Sequence, residues 1–261
     1  MLGLGAGSIY GSTLMDEKFA IDMDGTSDRV DFGSQFQTTF AGSFTINLWM
    51  KDIIVPATTG TTTLQMISGT YDGIGEEMWE IMMYNGGAHS GKVRWLFKSN
   101  NDLSLRQTSS AFTTSSFTSW NMLTVTAYTE GVGGDNTELK IFHNGLELVG
   151  TTSLHTSALN HSYWNSAFDG ISILGRGAEE GAKAALRGTY TDWALWNTAL
   201  TSSQLVALYN SGVIHDARIN IGNYTSSNNL QAYFNFNDKT ATELISGQSG
   251  SLINSPEFLE Q

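Results

Sequence analysis

The chain has 261 residues, 40% of them hydrophobic and 11% aromatic, enough to bury a substantial core in one domain of a size that all-β architectures reach. Its 25 acidic and 13 basic side chains leave a net charge of −12, a field that repels phosphate backbones and anionic lipid surfaces and so argues against nucleic acid or membrane partners. The lack of cysteine excludes disulfides and thiolate metal sites and fits assembly in a reducing cytoplasm.

The opening MLGLGAGSIYGSTLMDEKF has no basic stretch leading into an apolar run, and no stretch long enough to span a bilayer. Small residues alternate there with Leu2, Leu4, Ile9, Tyr10 and Leu14. A backbone so rich in glycine does not stabilise itself, so residues 1–15 read as an N-terminal docking arm, with residues 1–14 anchoring on other structural proteins. Residues 16–261 read as a single domain, because only 2 prolines and no low-complexity linker interrupt them.

Short alternating runs of aromatic and β-branched residues, separated by Gly, Ser, Thr and Asn clusters, predict strands through most of the chain. SFTINLWMK predicts a strand over 43–51, with Phe44, Ile46, Leu48 and Met50 on one face and Thr45, Asn47 and Trp49 on the other. GEEMWEIMMY then places Glu76 and Glu80 on one face of a strand, with Trp79 and Ile81 packing inward and the glutamates facing solvent. Two carboxylates so placed raise the question of sugar cleavage. On a flat strand, however, residues four apart are separated by about 13 Å at Cα, whereas retaining chemistry needs carboxyls about 5 Å apart.

KVRWLFK predicts a strand over 93–99, turning Val93, Trp95 and Phe97 inward and Arg94 and Lys98 to water. Strands over 120–128 and 139–143 follow, and Asn144-Gly145 between apolar runs predicts a type I′ hairpin turn. In NHSYWNS, Trp164 stands with Tyr163, Asn160 and Asn165 in a polar loop. An aromatic face beside amide groups is the chemistry of sugar recognition, so these four are the candidate ligand contacts. The other tryptophans, Trp49, Trp79, Trp95, Trp120, Trp193 and Trp196, lie in or beside alternating runs and read as core. Histidines 89, 143, 155, 161 and 215 show no zinc-site spacing.

Strands over 171–175 and 187–196 precede the one clear helix, 201–211. Thr201 with Gln204 forms a capping box, Leu205, Leu208 and Tyr209 an apolar stripe, and Gly212 occupies the expected left-handed C-cap. A final strand is predicted over 230–236.

The succession FAIDMDGTSDRVDFG, SFTINLWMK, SWNMLTVTAYTE with LKIFHNGLELVG, LRGTYTDWALWNTALTSSQLVALYNSG and LQAYFNFNDKTATELISGQSGSLINSPEF resembles the laminin-G-like domains of the concanavalin A-like lectin/glucanase superfamily. The resemblance runs from about residue 19 to the end. It implies an all-β fold: a two-sheet antiparallel jelly-roll sandwich with one short helix in the C-terminal half. Within that superfamily, family-16 glycoside hydrolases carry Glu-x-Asp-x-Glu on a strand. Glu76 and Glu80 match its outer positions, but Met78 replaces the middle acid that would tune the nucleophile. The resemblance also implies calcium, which jelly rolls bind through backbone carbonyls and one or two acids from distant loops. Asp24, in DMDGTSDRVD, with Asp192 is the candidate pair.

Fold, composition and the glycine-rich leader together resemble proteins of tailed-phage particles. The expectation is a non-enzymatic structural and adhesion module of a large assembly: a virion decoration, fibre or appendage protein, assembled in the host cytoplasm, oligomeric in the particle and binding surface glycans. A free carbohydrate-binding lectin is the alternative, and a family-16-like polysaccharide hydrolase the second.

Overall fold

The structure, a computed structural model, describes residues 19–34, 36–55, 63–71, 78–85, 87–99, 102–129, 137–154, 170–175 and 185–261. The docking arm expected over residues 1–15 lies outside them. The first half forms strands β1 (Phe19–Met23), β2 (Arg29–Phe32), β3 (Phe44–Lys51), β4 (Thr63–Tyr71), β5 (Met78–Asn85), β6 (Val93–Ser99), β7 (Asp102–Thr108) and β8 (Asn121–Thr129). The second half adds β9 (Thr137–His143), β10 (Leu146–Glu147), β11 (Gly150–Leu154), β12 (Gly170–Leu174), β13 (Gly188–Trp196), the helix α1 (Ser202–Tyr209), β14 (Leu230–Phe234), β15 (Ser251–Ile253) and β16 (Glu257–Glu260). The seven predicted strands coincide with observed ones to within two residues at each end.

The strands make two eight-stranded sheets, and every pairing between named strands is antiparallel. The first runs β10-β9-β8-β3-β13-β1-β16, with β14 also on β13. The second runs β11-β7-β6-β5-β4-β12-β2-β15. The chain alternates between the sheets, so each is built from segments distant in sequence.

Alternation decides what fills the space between them. Phe44, Ile46, Leu48 and Met50 from β3 meet Trp79, Ile81, Trp95 and Phe97 from β5 and β6 in the main core. Buried indoles need acceptors, and two find them across the gap. Trp95 Nε1 donates to the Thr126 carbonyl at 3.2 Å, and Trp193 Nε1 to Ser68 Oγ at 3.1 Å, tying the sheets together.

Trp49 points the other way, as its place in β3 predicts, into a second core on the outside of the first sheet. There α1 lays Leu205 and Leu208 over Trp49, Met122, Phe142, Trp196 and Tyr233. The Thr201 hydroxyl accepts from Gln204 N–H at 3.3 Å and Gln204 Oε1 accepts from Thr201 N–H at 2.9 Å, the capping box read from the sequence. The helix ends sooner than predicted. Asn210, not Gly212, is its C-cap, at φ 47°, since asparagine tolerates the left-handed region better than most residues.

The Asn144-Gly145 turn takes φ values of 54° and 80°, as a type I′ turn requires. Gly145 has a second constraint: a Cβ there would lie 2.8 Å from Val206 Cα, so the hairpin is also the seat of α1.

Candidate functional site

Glu80 was expected in solvent and is instead 5% exposed. Trp79 and Ile81 do pack inward, so Glu80 points to the outer face of the second sheet. That face is not open at this point. Met66, Met82 and Leu96 form a small buried cluster on it, and Leu96 and Gly69 are the strand partners of Glu80. Alternation along the strand assigns Glu80 to the correct side of the sheet, but it carries no information about whether a sheet's second face is covered. Gly69 leaves the space that the glutamate stem occupies, since a Cβ there would lie 3.6 Å from Glu80 Cγ and 3.1 Å from Met66 Cε. Glu76 lies outside the described residues, as do Trp164, Tyr163, Asn160 and Asn165.

The structure does not bring Asp24 and Asp192 together. Met23 pairs with Gly188, and the antiparallel register carries Asp24 on to the level of Arg187, five residues short of Asp192, which sets the two acids roughly 16 Å apart along β13. Both carboxylates are engaged locally. Asp24 Oδ1 accepts the N–H groups of Thr26, Ser27 and Asp28 at 2.7, 2.9 and 3.1 Å, closing a tight turn. Burial pushes its pKa up, but these three donors and the Ser27 hydroxyl together outweigh it and hold the carboxyl below its ordinary value. Asp192, 2% exposed, accepts from the Tyr233 phenol and, at 3.1 Å, from the Thr191 hydroxyl. Among the described residues no group of three His, Asp or Glu side chains is arranged to hold a metal ion.

Five of the six described tryptophans are at most 1% exposed, which confirms them as core. The sixth, Trp120, is half-buried beside the second core, with Lys51 Nζ 5.0 Å from its ring centroid. One aromatic face is therefore already occupied by a cation.

A pocket that the sequence did not reveal lies at the end of the sandwich where β3 begins. Thr38, Thr39, Gly42 and Ser43, from the short 3₁₀ turn Gln37–Ala41 and the residues after it, face Asn197 at the end of β13 and Gln231 on β14 across about 250 Å³. Its side-chain lining is hydroxyl and carboxamide, and among the described residues no ionisable side chain contributes. Asn229 braces the far wall. Its carboxamide donates to Asn197 Oδ1 at 3.1 Å, and its carbonyl accepts Asn197 N–H at 3.1 Å and Gln231 Nε2 at 3.2 Å. The lining comes from three places in the chain, and QTTFAGS by itself reads only as a turn. No local motif announces the pocket.

No protein-family profile and no curated protein sequence matches the chain. Solved structures do. A Bacteroides ovatus protein assigned to carbohydrate binding superposes with a TM-score of 0.54 at 15% identity, over 93% of this chain and 60% of that protein's length. The native heptameric SAP-like pentraxin from Limulus polyphemus gives 0.52 at 11% identity, covering 94% of each chain. The enzymatically active domain of bacteriophage CBA120 tailspike protein 2 is more remote, at 0.49 and 8% identity over 75% of this chain and 27% of that one. Identities this low speak to architecture alone. The described chain has the concanavalin-like jelly-roll fold.

Proposed function

We propose that this protein is a non-enzymatic carbohydrate-binding module serving adhesion within a larger assembly. The observation that carries the reading is the chemistry of the pocket. Among the described residues it offers neutral donors and acceptors with no carboxylate, imidazole or amine in its lining to activate a water or a hydroxyl, which suits holding a polyhydroxylated ligand and not cleaving it. The likeness to a protein assigned to carbohydrate binding is compatible with this reading, although at 15% identity it speaks only to fold. The proposal extends to a phage virion, where the chain is a decoration, fibre or appendage protein docked through residues 1–14; support for that part comes from the fold, the composition and the glycine-rich leader.

Binding of the intact protein to an array of bacterial and animal glycans tests the first part. Reproducible, saturable retention on a defined subset is expected, and no retention on any glycan overturns it. A chain begun at Asp16 tests the second part. It should keep its β spectrum yet fail to join particles, and efficient incorporation would remove the docking role of the arm.

A further inference from the structure

The wall formed by Asn197 and Gln231 is oriented before any ligand arrives. Gln231 Nε2 is held by the Asn229 carbonyl, which leaves Gln231 Oε1 as the acceptor turned to a ligand. Asn197 Oδ1 accepts the Asn229 carboxamide, which leaves the Asn197 NH₂ as a donor, an assignment set by this hydrogen-bond network. Opposite them, the hydroxyls of Thr38 and Thr39 donate or accept as the ligand requires. A donor beside an acceptor, faced by two adaptable hydroxyls, matches neighbouring hydroxyls on a sugar ring.

Size and charge narrow the ligand class further. At about 250 Å³ the pocket is smaller than the roughly 300–1,000 Å³ of sites for drug-sized ligands, so it suits one ring of a longer glycan. Among the described residues no Arg, Lys or His lines it, and the chain carries −12, so a uronic or sialic acid carboxylate would enter a repulsive field without a described counter-charge. Gly42 keeps the space open. A Cβ added there meets no atom within 4 Å, and its φ of −135° is available to any residue.

We infer that the pocket bounded by Thr38, Thr39, Gly42, Ser43, Asn197 and Gln231 is a subsite for one uncharged pyranose. The inference rests on the carbohydrate-binding reading and gives it a substrate class. Binding should be weak, with a dissociation constant of about 1 mM for a single ring.

Saturation-transfer NMR on the full chain provides the test, using the methyl glycosides of glucose, galactose, mannose and fucose against methyl glucuronide and N-acetylneuraminic acid. At least one neutral glycoside should bind and neither acid should. Gly42→Val, which fills the pocket from a permitted backbone conformation, should weaken the neutral glycoside at least fivefold while the thermal unfolding curve stays in place. Gln231→Leu, which removes the oriented acceptor, should do the same. Neutral binding untouched by both variants overturns the subsite and leaves the carbohydrate reading standing. Binding of the acids alone, or of no monosaccharide, also overturns the subsite, and the glycan array separately decides whether the broader reading falls with it.

Discussion

The Tyr233 phenol donates a hydrogen bond to the Asp192 carboxylate, linking β14 to an irregular step in the pairing of β13 with β3. Asp192 sits there at φ 49°, a conformation that L-residues seldom adopt. Arg218, in a bidentate pair with Asp216, lies 5.7 Å over the Tyr233 ring. Strand, bulge and the segment after α1 therefore meet at one phenol.

Tyr233→Phe takes a donor from a carboxylate that is 2% exposed. Leaving a buried acceptor short of a partner costs about 1–3 kcal/mol, so the urea midpoint should fall without a change in slope. An unmoved midpoint would show that the bond contributes nothing net.

Gly145→Ala meets two obstacles at once, a φ of 80° and a contact of 2.8 Å with the α1 backbone at Val206. The expected loss is about 2 kcal/mol or more, larger than the backbone penalty alone, because the helix must shift as well. Asn144→Gly keeps the turn geometry but loses the bond from Met122 N–H to Asn144 Oδ1 at 2.9 Å, and should cost about 1 kcal/mol. Chemical denaturation of both variants checks the order.

The difference between these two turn residues bears on what could be read in advance. Asn144-Gly145 declares a turn through its local φ preference, and Thr201 with Gln204 declares a helix start through reciprocal capping. Each signal is contained within four residues, and both elements were found where expected. The burial of Glu80 and the pocket beside Asn197 depend on what lies across or over a sheet. Such contacts join residues far apart in sequence, and no periodicity encodes them. Asp192 shows the same limit: its residue type suits a metal, yet its partner is a phenol brought in by β14.

His143 gives the fold a pH dependence of known sign. Burial holds the imidazole below its ordinary 6.5, with its Nε2 2.8 Å from Asn121 Oδ1 and its ring against Phe112. The folded chain then takes up the proton later than the unfolded chain as pH falls. Its contribution is full above the unfolded value, declines below pH 6.5, and levels off beneath the depressed folded value. In His143→Gln the unfolding midpoint should lose part of its slope with pH just below 6.5. An identical slope would assign that dependence to other groups.

For a non-enzymatic module, glucans and galactans incubated with the protein should release no reducing sugar, and Glu80→Gln should leave nothing to abolish. Reproducible release that disappears in that variant would make the protein a hydrolase acting from the outer face of the second sheet.

Asp24→Ala removes an acceptor shared by three backbone N–H groups and should lower stability by about 1 kcal/mol, as loss of a turn cap does. Thermal scans with chelator and with millimolar calcium should show the same loss. If the difference between wild type and variant grows with calcium, Asp24 is a metal ligand as well as a turn former.

The pairing of β1 with β16 joins the first and last of the described strands. Until β16 arrives, β1 offers a bare row of peptide groups beside Ala20 and Ile21, which are fully buried in the finished fold. A nascent chain must hold that edge unsatisfied while every strand between is made, and closure over so long a separation is slow. The exposed Glu257 and Glu260 on the closing strand place negative charge at the rim, which discourages a second molecule from adding there. A chain cut before Glu257 would lose that guard and gain a sticky seam, so its characteristic fault would be edge-to-edge self-association.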